Sequence, residues 1–227
     1  MSADRQERSA LNISLRTALV MVLFTLAFTT LMAFVYSSTR SLIDASAEAE
    51  KLRLIGEVLP AGAYDNELLR DYVVLPAAPA LGLDEPSRIY RARRNGAPAA
   101  LVFEAAAADG YSGRIGLILA MRASGELIAV RVTQHKETPG LGDYIDPRKD
   151  KDKARPWIGQ FNAIGLAEVP PAQWRVKKDG GRFEQRAGAT ISARAVTNAV
   201  GRALKWANEN RDKLFEQDNT PSREKSS

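Results

Sequence analysis

The sequence predicts an α+β protein: an antiparallel sheet packed on helices, carried behind a single N-terminal membrane-spanning helix. Three observations lead there. An uncharged apolar run lies near the N-terminus, two successive hairpin signals lie in the middle of the chain, and an amphipathic pattern lies close to its end. With 227 residues, 45% of them apolar and 26% charged, the chain can build one sizeable folded core with accessories.

The first element is the run TALVMVLFTLAFTTLMAFVY, residues 17–36, which carries no charge. As a helix it covers the ~30 Å hydrocarbon layer of a bilayer. A cleaved signal peptide is the alternative, because ASA at Ala45–Ala47 resembles a processing site. The run exceeds the ~7–15-residue core of such peptides, so a retained anchor is expected. Arg5, Arg8 and Arg16 precede the span, whereas Arg40, Lys51 and Arg53 lie farther out among Asp44, Glu48 and Glu50. That asymmetry keeps residues 1–16 in the cytoplasm and sends the rest across, into the periplasm of a Gram-negative cell. Residues 37–60 have helix-forming composition, with Leu42, Ile43, Leu52, Ile55 and Val58 as intermittent apolar positions and Pro60 as the stop. They read as a connecting helix that lifts the main domain, residues 61–215, off the bilayer.

Residues 61–86 hold five prolines or glycines and read as loop with short extended pieces. Asn95-Gly96 separates two extended runs, and Ser124-Gly125 separates another two, so two hairpins of one antiparallel sheet are expected. In the second, Leu117 and Leu119 or Ile118 and Ala120 fit the buried face equally well. GYSGRIG, residues 110–116, precedes a strand instead of opening a helix, so its glycines read as turn residues. The charged loop between Asp146 and Trp157 reads as a solvated surface. Trp157, Ile158, Phe161 and Ile164 follow at roughly helical spacing, then extended pieces around Asp179-Gly180. The last helix begins near Ser192, and Val196, Val200, Ala203, Leu204 and Ala207 form the stripe that packs on the sheet. Residues 216–227 are polar and expected to be disordered.

Composition excludes several chemistries. The chain has no cysteine, so disulfides, cysteine-ligated clusters and thiol catalysis are absent. One histidine, His135, gives no basis for a transition-metal site, and at a strand end it reads as structural or solvated. The net charge of +5 is spread among nearly as many acids as bases, without the basic block that nucleic acid would need. No dinucleotide-binding fingerprint is present, so NADH is not oxidised on this chain.

Two segments carry chemistry. RAGATISARAVTNAV, residues 186–200, opens a helix with Gly188, Ala189, Thr190 and Ile191 instead of a Ser or Asp cap followed by Glu. The unpaired N–H groups of a helix's first turn sit at the positive end of its dipole, so this entrance suits a phosphate, with the Thr190 hydroxyl available for an ester. The plainer alternative is a helix capped by Thr190 or Ser192. HKETPGLGDYI, residues 135–145, follows a strand. Pro139, Gly140 and Gly142 make a rigid turn with backbone open to a flat ligand, Glu137 and Thr138 offer hydrogen bonds, and Leu141 offers apolar contact.

HKETPGLGD and AGATIS, residues 187–192, taken together resemble the flavin-carrying G subunit of the Rnf ion-translocating oxidoreductase, a relative of the C subunit of the sodium-pumping NADH:quinone reductase. The resemblance covers nearly the whole chain. It implies a single-pass inner-membrane protein whose periplasmic domain binds FMN, joined through its phosphate to Thr190. Gly188, Ala189, Ile191, Ser192, Glu137, Thr138, Gly140, Leu141 and Gly142 would lie about the cofactor. It further implies a magnesium-dependent flavin transferase that uses FAD and releases AMP. The partners would be the other Rnf subunits, with electron flow between ferredoxin and NAD coupled to ion movement. The subunit would carry electrons and not be catalytic alone. Relatives often have Ser or Thr at Ala187, Thr at Ser192 and Asp at Glu184; Ser192 keeps the hydroxyl and Glu184 keeps the charge. The equivalent quinone-reductase subunit and a non-redox anchored module holding a free anion are the competing readings.

Overall fold

A computed structural model describes residues 3–217. They form two compact units, divided at Glu50 and Lys51.

The first unit belongs to helix α1, Ala3–Gly56. Within it Leu15–Tyr36 is a 22-residue stretch of mean hydropathy 2.4, none of it buried by the protein. At 1.5 Å per residue it is about 33 Å long, enough for the hydrocarbon layer. Leu19, Phe24, Phe28 and Phe34 all point outward. The Thr25 hydroxyl donates to the Met21 carbonyl at 2.8 Å, which satisfies a polar group that lipid could not. The helix passes beyond Tyr36 without a break and ends at Gly56, four residues before the expected stop at Pro60.

The second unit is an antiparallel meander of order β1-β2-β3-β4-β5 packed on a long helix. Its strands are β1 Tyr72–Leu75, β2 Ser87–Arg94, β3 Ala97–Gly110, β4 Gly113–Arg122 and β5 Leu127–Gln134. Both expected hairpins form. Asn95 (φ 52°) and Gly96 (φ 76°) turn β2 into β3, in the doubly left-handed turn that matches strand twist. Tyr111 and Ser112 turn β3 into β4, so GYSGRIG is a hairpin turn as the sequence indicates. β1 rises from a region expected to be mostly loop; Tyr72 to Leu75 pair with Tyr90 to Ser87.

The question of which face of β4 is buried has the answer that both are. Leu117, Leu119 and Met121 join the core beneath helix α2, Thr190–Glu216. Ile118 and Ala120 join a second core with Ile55, Val58 and Leu59 on the opposite face. The end of α1 and the turn after it therefore belong to this domain's packing, which begins before residue 61. Both strand faces are apolar because both are covered.

Helix α2 begins at Thr190, two residues earlier than expected, and its predicted stripe is fully buried: Val196, Val200, Ala203, Leu204 and Ala207. Its far end is held by β2. Arg91 Nη1 donates to the Leu214 carbonyl at 3.2 Å and also to that of Gln217, and Arg93 Nη2 donates to Phe215 at 3.0 Å. Asp71 accepts from both guanidinium groups, at 2.6 and 2.9 Å. Cations thus meet the negative end of the helix dipole.

Two further expectations change. Trp157–Phe161 is a short 3₁₀ turn instead of a helix, tied to β5 through the Leu127 N–H to the Ile164 carbonyl at 2.9 Å. Around Asp179-Gly180 the extended pieces reduce to one parallel bridge, Val176 with Phe183. The tail expected to be disordered lies outside the described residues from 218 onward, while Glu216 still belongs to α2.

Candidate functional site

The two chemistry-bearing segments, residues 135–145 and 186–200, meet in one cavity. It is lined on one side by Gly188, Ala189, Thr190, Ile191 and Ser192, and on the other by Glu137, Thr138, Leu141, Gly142 and Tyr111. The cavity volume is about 150 Å³. Of the residues expected about the cofactor, only Gly140 is absent from this lining; its N–H bonds Asp143 Oδ1 at 2.9 Å.

The helix side is built as bare backbone. Thr190 is the first residue of α2, and Ala189 occupies the cap position (φ −134°, ψ 44°) without any side-chain cap. Capping by Thr190 or Ser192 is thereby excluded. Gly188 has φ +81°, a left-handed conformation that a glycine enters without strain. The Ala189 N–H bonds back to the Arg186 carbonyl at 3.2 Å, so it is not among the donors facing the cavity, contrary to the expectation for all four residues. The first N–H groups inside the helix keep no intrahelical acceptor, by the geometry of any α-helix.

The turn that delivers Thr190 is fastened from outside. The Tyr144 hydroxyl accepts from the Arg186 N–H at 3.2 Å and donates to the Ala189 carbonyl at 3.1 Å. Burial pushes the Tyr144 phenol up, against the opposing hydrogen bond from Arg186 and its charge. The Arg186 guanidinium lies 4.6 Å over the Tyr144 ring and pairs with Asp150. Asp150 also accepts the Trp157 N–H at 2.7 Å and the Asp152 N–H at 3.0 Å. The charged loop is therefore more than the solvated surface expected: Asp146 and Asp150 are buried within it. Their neighbours explain why. Asp146 is clasped by Arg148 at 3.0 Å, and Asp150 by Arg186, so each burial is compensated.

On the other side, the Leu141 and Gly142 N–H groups both bond the Thr138 carbonyl at 3.1 Å, closing the turn after β5. Glu137 is only 4% exposed. Its carboxylate accepts the Ser112 N–H at 2.9 Å and the Ser192 hydroxyl. Ser192 therefore directs its oxygen at Glu137 and not at the cavity. A Cβ on Gly142 would fall 2.5 Å from Ser192 Oγ and 2.8 Å from Glu137 Oε2, so a glycine is required for the two sides to close. His135 stands outside the lining: its Nδ1 accepts the Glu137 N–H at 3.2 Å and its Nε2 lies 3.8 Å from Asp146, a bracing role.

Sequence reasoning missed Tyr111, Tyr144 and Asp150. Tyr111 had a signal: a large aromatic in a hairpin turn, 67% exposed, where a polar residue is usual. With Leu141 and Ile191 it gives the cavity an exposed apolar rim. An uncapped helix entrance with a hydroxyl, beneath an apolar rim, fits a phosphate joined to a flat heterocycle. No lysine or arginine lines the cavity among the described residues. That suits an esterified phosphate, which carries less charge than a free one.

Comparisons with known proteins agree with this geometry. A family model described as FMN-binding domain matches residues 110–205, and one described as RnfG N-terminal region matches residues 1–58. The chain is 43% identical over 201 residues to the G subunit of the ion-translocating oxidoreductase complex of Pseudomonas aeruginosa strain UCBPP-PA14, covering 88% of this chain and 92% of that one. The protein of the same name in Pseudoalteromonas atlantica is 39% identical over 90% of this chain and 93% of its own. That of Vibrio atlanticus is 37% identical over 91% and 96%.

Proposed function

The chain belongs to the family of G subunits of ion-translocating oxidoreductase complexes, and from that premise we propose that it carries FMN as a phosphate ester of Thr190 on the outer side of the inner membrane. Membership makes it a membrane-anchored, FMN-binding electron-transfer subunit of an Rnf-type complex. One observation carries the attachment site: the Thr190 hydroxyl opens an uncapped helix inside the cavity that the FMN-binding segment lines.

In the attachment step, Thr190 Oγ attacks the flavin-side phosphorus of FAD held by a separate transferase. An oxygen–phosphorus bond forms at Thr190, the pyrophosphate bond breaks, AMP leaves, and the hydroxyl proton passes to the transferase. The helix entrance then faces a phosphate bearing one negative charge, which its dipole stabilises. The bound flavin supplies one- and two-electron transfer. Thr190 at the helix mouth would hold the ester, and the exposed Leu141, Ile191 and Tyr111 would offer the ring apolar contact. Tyr144 keeps the turn in place. The apolar run of residues 17–36 carries no charge, so ions coupled to electron flow between ferredoxin and NAD cross through other subunits.

The test is the intact mass of the full chain made with the transferase. Wild type should gain the mass of FMN less one water, with the modified peptide containing Thr190, and its band should fluoresce in a denaturing gel. Thr190→Ala should run dark at the unmodified mass. A wild-type chain of unmodified mass would overturn the attachment and favour a cavity for a free ligand.

A further inference from the structure

We propose that Glu137 holds the reduction potential of the flavin down, by placing an ionised carboxylate in the wall of the cavity that contains Thr190. The inference rests on the flavin attachment proposed above.

Among the described residues lining the cavity, Glu137 alone has a charged side chain. It is nearly fully buried, and its hydrogen-bond partners are a backbone N–H of Ser112 at 2.9 Å and the hydroxyl of Ser192. Each of its two oxygens accepts one hydrogen bond, Oε1 from Ser112 and Oε2 from Ser192. Both donors are neutral. Arg186 pairs with Asp150, Arg148 pairs with Asp146, and His135 turns its Nε2 toward Asp146. No ion pair to Glu137 forms among the described residues. The negative charge is therefore stabilised by dipoles and is not cancelled.

An electron placed on a ring seated at this cavity meets that charge and the negative phosphate together. Two like charges roughly 12 Å apart at an effective dielectric near 20 shift an equilibrium by about tenfold. Removing the Glu137 charge should then favour electron uptake by about tenfold, which is about 59 mV for one electron. Glu137→Gln is the appropriate change, since the amide keeps an acceptor for the Ser112 N–H and a donor for the Ser192 oxygen at nearly constant volume.

The experiment is a spectroelectrochemical titration of the detergent-solubilised full chain, coexpressed with the transferase, with flavin load measured by mass on the same samples. Glu137→Gln should move the midpoint positive by about 59 mV; an unmoved or more negative midpoint overturns the proposal. Where Glu137→Gln carries no flavin, Ser192→Ala decides. It keeps the carboxylate but removes one of its donors, so the midpoint should move negative, and an unmoved or positive one overturns the proposal. The same mass spectra separate the two readings. Wild type without flavin at Thr190 ends both, whereas flavin at Thr190 with unshifted potentials ends only the role of Glu137.

Discussion

At Asp150 a single carboxyl makes the acceptor turn sensitive to pH. Burial pushes this group up, but the Trp157 and Asp152 N–H groups and the Arg186 guanidinium outweigh it and hold it below its ordinary value of 3.8. A depressed folded value means that the stabilisation is fully present above 3.8 and is lost as pH falls through the folded value. Asp150→Asn should cost about 1.5–3 kcal/mol at pH 7, the range for hydrogen bonds to a charged group. The difference in thermal midpoint between variant and wild type should narrow as pH falls below 3.8 and close as the wild-type carboxyl is protonated at its lower folded value. A gap equally wide at pH 3 would mean that packing, not charge, holds the loop. The sequence displayed Asp150 only as one acid in an alternating run, because its partners Trp157 and Arg186 are brought to it by the fold.

Elements were legible where local rules decide them. The strands of both hairpins follow from Asn95-Gly96 and Ser124-Gly125, and α2 follows from its buried stripe. What ends α2 was not legible. No basic cap within the helix does the work of Arg91 and Arg93, which reach its last carbonyls from more than 120 positions earlier. Arg91 is 2% exposed and shares the half-buried Asp71 with Arg93, so Arg91→Ala leaves Asp71 with Arg93 alone of its two guanidinium partners and takes a donor from the Leu214 and Gln217 carbonyls. A loss of about 1.5–3 kcal/mol is expected in denaturant unfolding of the full chain in detergent. Arg91→Lys should recover only part of it, because an ammonium cannot reproduce the guanidinium fork that serves Asp71 and two carbonyls at once. Full recovery would reduce the role of Arg91 to a point charge.

For the whole molecule, orientation is the testable consequence of the charge asymmetry about residues 17–36. The chain has no cysteine, so one introduced thiol reports its own location. Arg155→Cys, at a side chain 91% exposed in the sheet domain, should react with a membrane-impermeant maleimide in intact spheroplasts. Ala10→Cys should react only after lysis. The reverse pattern would place the domain in the cytoplasm. By itself the sequence determined the anchor, the hairpins, the helix stripe and both halves of the cavity, since each depends on residues adjacent or periodic along the chain. The tertiary structure alone decided that β4 is covered on both faces, that Tyr144 and Asp150 secure the turn before Thr190, and that Glu137 turns to Ser112 and Ser192. Those arrangements join groups distant in sequence through burial and hydrogen-bond geometry, which no local pattern encodes.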